Sequence, residues 1–155
     1  MTLCPGKYQP VSWTGGWDRQ LGLDVESLKD SGTRKLVSLV TNEDMELLRV
    51  TQLPTIVQAS GIEWTHLPLT DGSAPSARWM RRAAQVFTEL QTSIPEGERV
   101  VVHCMGGLSR AGTFVALYLN LRGYTMAEAI EKVRTERDVR CINPEQEAFL
   151  FGLEQ

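Results

Sequence analysis

Val100-Val101-Val102-His103-Cys104-Met105-Gly106-Gly107-Leu108-Ser109-Arg110-Ala111-Gly112-Thr113 is the stretch on which the reading of this chain turns. The run from Val100 through His103 predicts a buried strand. A glycine-bearing turn follows. Residues 114–121 then predict a helix apolar on almost every side, as suits a central helix. A single cysteine therefore sits between the exit of a strand and the start of a helix, and an arginine returns six residues later.

That placement has a chemical consequence. Unpaired N–H groups in a tight loop and at a helix N-terminus favour negative charge. The same field favours thiolate over thiol, so the Cys104 thiol is expected to titrate below the free value. Gly106 and Gly107 let the loop backbone approach an oxyanion without Cβ collisions. Arg110 adds a planar fork that can hold two phosphate oxygens. Thiolate, amide cradle and fork together suit phosphoryl transfer to sulfur.

Working outward, strands and helices are predicted to alternate. Leu21, Val25 and Leu28 recur at helical spacing, and Ser31-Gly32 ends that helix. Residues 35–40 read as a strand. Thr41-Asn42 caps a short helix whose start carries Glu43 and Asp44, and a second short helix follows Pro54. Residues 62–67 alternate as a strand in which His66 is read as structural, and a loop containing Asp71 comes next. Ser76 caps a helix with Trp79, Ala83, Val86, Phe87 and Leu90 on one face. Arg78, Arg81 and Arg82 near its start are read as a solvated face. Gly123 closes the central helix, Thr125 and Glu128 form a capping box, and Asn143-Pro144 opens the last helix. Residues 1–20 are expected to be irregular, with Trp13 and Trp17 capping the edge of the core. The fold class is α/β: a short, mostly parallel central sheet with helices on both faces.

Composition bounds the function. The formal charge of -3 gives no basic footprint for nucleic acid, and no apolar run is long enough to insert in a membrane. The three cysteines are widely spaced and suit reduced thiols in a cytoplasm better than a disulfide framework. Without a Cys-x2-Cys pair, neither a metal site nor a cofactor is expected.

Cys104 and Arg110 match the Cys-x5-Arg loop of cysteine-dependent protein phosphatases, and His103, Gly107 and Arg110 extend it to His-Cys-x-x-Gly-x-x-Arg. The chain resembles the dual-specificity and tyrosine phosphatases of the cyclin-dependent-kinase-associated type. The resemblance runs from the turn at Ser31-Gly32 through Leu67-Pro68-Leu69-Thr70-Asp71-Gly72 to Gln146. It implies a single phosphatase domain over residues 1–155, working without a cofactor. It also implies hydrolysis of phosphotyrosine, with phosphoserine and phosphothreonine as candidate further substrates, through a phosphocysteine. Within it Cys104 is the nucleophile and Asp71 the general acid. Met105, Gly106, Gly107, Leu108, Ser109 and Arg110 bind phosphate, and His103 orients the Cys104 region. For Gln146 two readings stand: completion of a helix cap, or orientation of the hydrolytic water. Cys4 and Cys141 are read as inert. The implied partner is a phosphoprotein, and a kinase only by resemblance. The alternatives are a lipid or sugar phosphate phosphatase and a phosphopeptide-binding module. The loop carries no lysine, which disfavours polyphosphorylated lipids.

One position departs from the pattern. Relatives commonly place Ser or Thr directly after the arginine, where the hydroxyl assists the thiolate. Here that position is Ala111, as in the slowly turning phosphatases of the regenerating-liver type, and Thr113 stands two residues on.

Overall fold

The computed structural model describes residues 1–92 and 97–154. Its centre is a three-stranded parallel sheet of β3 (Thr33–Ser38), β4 (Glu63–His66) and β5 (Arg99–His103), in the order β4-β3-β5. In the register, Leu36 stands beside Val101 and Val37 beside Val102. Successive strand residues point to opposite faces. Leu36 and Val101 accordingly pack with Val25, Leu48, Leu53 and Val57, from α1 (Leu21–Asp30), the end of α2 (Asn42–Leu47) and α3 (Leu53–Ala59). Val37 and Val102 pack with Ala83, Phe87, Leu117 and Ile130 on the other face. Those residues belong to α4 (Ala77–Thr92), α5 (Ser109–Leu121) and α6 (Met126–Glu136), with α7 (Pro144–Gly152) beyond them. Both faces are covered, which is why the strands read as nearly continuous apolar runs.

The predicted helix signals match the structure closely. Thr41 caps α2, Thr125 caps α6 and Asn143 caps α7, each in a reciprocal capping box. Trp79, Ala83, Val86, Phe87 and Leu90 form the buried stripe of α4.

Three expectations need correction. The strand expected over 35–40 runs instead over Thr33–Ser38. Leu39 lies beyond the last strand residue but still bonds through its backbone, N–H to His103 O and carbonyl from Leu69 N, each at 3.0 Å, whereas the Val40 carbonyl turns to a side chain and accepts from His66 Nε2 at 2.8 Å. Residues 1–20 are not wholly irregular, since β1 (Tyr8–Gln9) and β2 (Trp17–Asp18) form a small antiparallel ribbon too short to show a periodicity. Trp13 caps nothing and is 98% exposed, whereas Trp17 is half-buried in that ribbon.

Candidate active site

The loop from Cys104 to Leu108 leaves the carboxyl end of β5 and enters α5, where open parallel sheets place their ligands. Cys104 is buried at 3% exposure. Among the described residues, the N–H groups of Met105 to Ser109 donate to no protein acceptor. Such unpaired amides suit an oxyanion. Gly107 adopts φ +69°, and a Cβ there would collide with the Thr2 carbonyl and the Leu3 amide. Only glycine fits that position.

Arg110 lies in the first turn of α5 with its side chain fully buried. Nη1 donates to Asp44 Oδ2 at 2.6 Å and to the Leu69 carbonyl at 2.9 Å. Nε pairs with Asp71 Oδ1 at 3.2 Å. Among the described residues, neither Nε nor Nη2 makes a hydrogen bond, although both are buried; the Asp71 carboxylate meets Nε as an ion pair only. Buried donors of a charged group without acceptors are costly, and two on one guanidinium edge match the bidentate geometry of phosphate.

His103 is completely buried. Its Nδ1 lies 3.0 Å from the Cys104 carbonyl and its Nε2 2.6 Å from Ser38 Oγ. A carbonyl can only accept, so Nδ1 carries the proton and Nε2 accepts from the Ser38 hydroxyl. Ser38 Oγ in turn accepts from Trp64 Nε1 at 2.8 Å. Burial pushes the imidazole down to about 4, aided by the Arg110 charge and opposed by the bond to Cys104. His103 is thus a neutral strut that holds the Cys104 carbonyl.

The loop bearing Asp71 is docked on the start of α7. Asn143 Nδ2 donates to Gly72 O at 2.9 Å, Gln146 Nε2 to Ser73 O at 3.2 Å, and Ala74 N to Glu145 Oε1 at 3.1 Å. Gln146 Oε1 accepts from Asn143 N at 3.2 Å and from Ser109 Oγ at 2.7 Å. Gln146 therefore does complete the cap, and it also ties the cysteine loop to the Asp71 loop. Thr113 Oγ1 donates to Ser109 O at 3.0 Å, so its proton is committed along the helix. Cys4 and Cys141 are buried free thiols, like Cys104. Burial pushes Cys4 up to about 12, with negative charge at Cys104 adding to the push, and burial also raises Cys141.

The structure thus brings Cys104, Arg110, Asp71, His103 and Gln146 together, and it adds partners that the sequence did not disclose. Asp44 signals only a helix start in the sequence, and its contact with Arg110 spans 66 positions. Arg137 Nε donates to Gly107 O at 3.2 Å from the end of α6. Ser38 and Trp64 complete the chain behind His103. Arg78, Arg81 and Arg82 are exposed, as a solvated face requires.

A family profile described as the phosphatase domain of Swiss Army Knife DSP-PTPase proteins matches residues 13–148. The chain belongs to the DSP-PTPase family. Among curated members, cyclin-dependent kinase inhibitor 3 of Rattus norvegicus is 30% identical over 122 residues, covering 77% of this chain and 56% of the relative. Protein tyrosine phosphatase type IVA 3 of Homo sapiens is 30% identical over 130 residues, covering 81% and 67%. The chain thus spans little more than half the length, 56%, of the first of these relatives. Among solved DSP-PTPase structures, a kinase associated phosphatase with its catalytic-site cysteine changed to serine superposes with a TM-score of 0.84 at 25% identity. The match covers 98% of this chain and 83% of that one. The expected family and α/β fold class therefore hold.

Proposed function

We propose that the chain is a cysteine-dependent protein phosphatase that hydrolyses phosphotyrosine, and phosphoserine or phosphothreonine with it, through a phosphocysteine. The observation that carries this reading is Arg110: a buried guanidinium with two donors unmet, beside a loop of unpaired amides that starts at Cys104. In the first step the Cys104 thiolate attacks phosphorus, the S–P bond forms and the bond to the leaving oxygen breaks. Arg110 and the amides of Met105, Gly106, Gly107, Leu108 and Ser109 hold the remaining oxygens as charge redistributes. Asp71, whose side chain is 59% exposed, protonates the leaving oxygen. In the second step Asp71 takes a proton from water, water oxygen attacks phosphorus, and the S–P bond breaks to return the thiolate.

The other residues position this machinery. His103 holds the Cys104 carbonyl, Asp44 orients Arg110, and Gln146 braces the two loops against each other. With Oε1 shared between two donors, Gln146 acts as a strut rather than as the group that orients water. The substrate is a phosphoprotein in the cytoplasm, and relatives named for cyclin-dependent kinases support a phosphorylated kinase as partner. Among the described residues, no helix is long and apolar enough to cross a membrane.

The test is hydrolysis of p-nitrophenyl phosphate by wild type and Cys104→Ser. Turnover lost in Cys104→Ser, with phosphate binding retained, is expected. Turnover retained in that variant overturns the reading.

A further inference from the structure

The start of α4 breaks a pattern that the other capped helices keep. α2, α6 and α7 carry carboxylates in their first turns, at Glu43 and Asp44, at Glu128, and at Glu145 and Glu147. The helix dipole stabilises negative side chains there. α4 has no acid in its first turn and carries Arg78 instead, with Arg81 and Arg82 directly after it. Positive charge at that end opposes the dipole, so these side chains do not serve the helix. Nor do they serve ion pairs. Arg19, Arg34, Lys35, Arg134 and Arg140 each meet a carboxylate. Among the described residues, Arg78, Arg81 and Arg82 meet none.

Two of the three line a cleft of about 390 Å³ between the start of α4 and the loop that follows β4. Arg78 and Arg82 are four residues apart and share one face of the helix. Arg81 is not part of the lining. Arg82 is held in place, since its Nη2 donates to the His66 carbonyl at 3.0 Å. Leu69, Thr70 and Ser73 bring the loop into the same lining. That loop is the one that carries the general acid. The Leu69 carbonyl accepts from Arg110 Nη1 at 2.9 Å, and Asp71, next to Thr70, pairs with Arg110 Nε. Consecutive Cα atoms are about 3.8 Å apart, so the cleft begins one residue from Asp71.

Among the described residues, no carboxylate lines the cleft. The acids closest to its loop are engaged elsewhere, Asp71 with Arg110 and Glu145 with the Ala74 N–H at 3.1 Å. The chain carries a net charge of -3, so this basic cleft is a local reversal of sign. Two guanidiniums without acidic partners suit a carboxylate, which each can meet with paired donors. An extended peptide spans about 10 Å in three residues. A side chain two to four positions from the phosphorylated residue therefore reaches a cleft that borders the acid's own loop.

We propose that the cleft between the Asp71 loop and the Arg78–Arg82 face of α4 is a second recognition site, which takes an acidic side chain of the phosphoprotein near its phosphorylated residue. The proposal rests on the phosphatase reading of the Cys104 site. The bound carboxylate replaces water around the two guanidiniums and selects which stretch of substrate crosses the Asp71 loop.

The experiment compares a phosphotyrosine peptide bearing glutamates two to four positions on either side with its glutamine counterpart. The ratio of their kcat/KM values at low salt is read in wild type, Arg78→Gln and Arg81→Gln. Both arginines are exposed, so either replacement spares the core. Wild type is expected to prefer the glutamate peptide roughly tenfold. Arg78→Gln should lower that preference about fivefold, the upper end for a solvated ion pair. Arg81→Gln removes the same charge from the same helix turn outside the cleft and should keep the wild-type ratio. No preference in wild type, or an equal loss in the two variants, overturns the proposal. The same ratios are read as peptide affinities by fluorescence anisotropy, with each protein carrying Cys104→Ser, which needs no turnover. Absence of hydrolysis by wild type therefore sinks the phosphatase reading alone, whereas equal affinities for the two peptides sink the cleft.

Discussion

Replacing Asp44 with alanine removes the carboxylate that faces Arg110 and should destabilise the protein strongly. The guanidinium is fully buried and the Asp44 side chain only 14% exposed, with 2.6 Å between them. Breaking a buried pair by deleting one partner costs about 3–5 kcal/mol, because the other charge stays buried and uncompensated. Two effects set the position within that range. Arg110 keeps the Leu69 carbonyl and the exposed Asp71, which lowers the loss. Thr41 N loses its acceptor in the α2 capping box, which raises it. The expected loss is about 3 kcal/mol, or roughly 6–12 °C in Tm for a domain of this size. Asp44→Asn keeps an oxygen for both donors and should lose about half as much. Urea unfolding of the three proteins measures this, and kcat/KM on a phosphotyrosine peptide reads the orientation of Arg110 in parallel. A loss below about 1 kcal/mol in Asp44→Ala would mean that the pair behaves like a solvated surface pair, which refutes the reasoning.

Further expectations concern pH, the acid and turnover. His103 titrates near 6.5 in the unfolded chain and near 4 in the folded one, so the unfolded state binds more protons between those values. Its contribution to stability is complete above about pH 6.5 and falls as pH drops, by roughly 2 kcal/mol at about pH 5, in urea unfolding series. His103→Gln should flatten that dependence, and an equal slope in both proteins would assign it elsewhere. Asp71→Asn should lower kcat on poor leaving groups by about 10²–10⁴ and flatten the alkaline fall of the rate profile. An unchanged profile moves the proton to another group. Because the Thr113 proton is held by Ser109 O at 3.0 Å, it does not replace the donor missing at Ala111. Wild type should therefore show a pre-steady-state burst in rapid quench, and Ala111→Ser should raise kcat more than kcat/KM. A burst absent from wild type but created by Thr113→Val would show the opposite.

The parts legible in the sequence were those with local causes. The caps at Thr41, Thr125 and Asn143 act on backbone three residues away, so spacing alone reveals them. The α4 stripe follows helical period, and the cysteine loop is a contiguous motif between a strand and a helix. What stayed hidden depends on distant pairing. Asp44 looks like any acid in a first turn until the fold delivers Arg110, and the Ser38–Trp64 chain behind His103 needs three strands in register. The ribbon at Tyr8–Gln9 and Trp17–Asp18 is two residues per strand, below what alternation can signal. Apolar character extends the expected strand through Leu39 and Val40, but the Leu39 carbonyl meets Leu69 N in the loop after β4 and the Val40 carbonyl meets His66 Nε2.

The central claim is a covalent phosphocysteine at Cys104. Acid quench of the protein within one turnover of a phosphotyrosine peptide, followed by mass mapping of residues 99–110, tests it directly. The account predicts a phosphate-sized mass increment on Cys104 in wild type, enriched in Asp71→Asn when a good leaving group bypasses the acid, and absent in Cys104→Ser. Turnover with no increment on Cys104, or an increment on Cys4 or Cys141 instead, would contradict it.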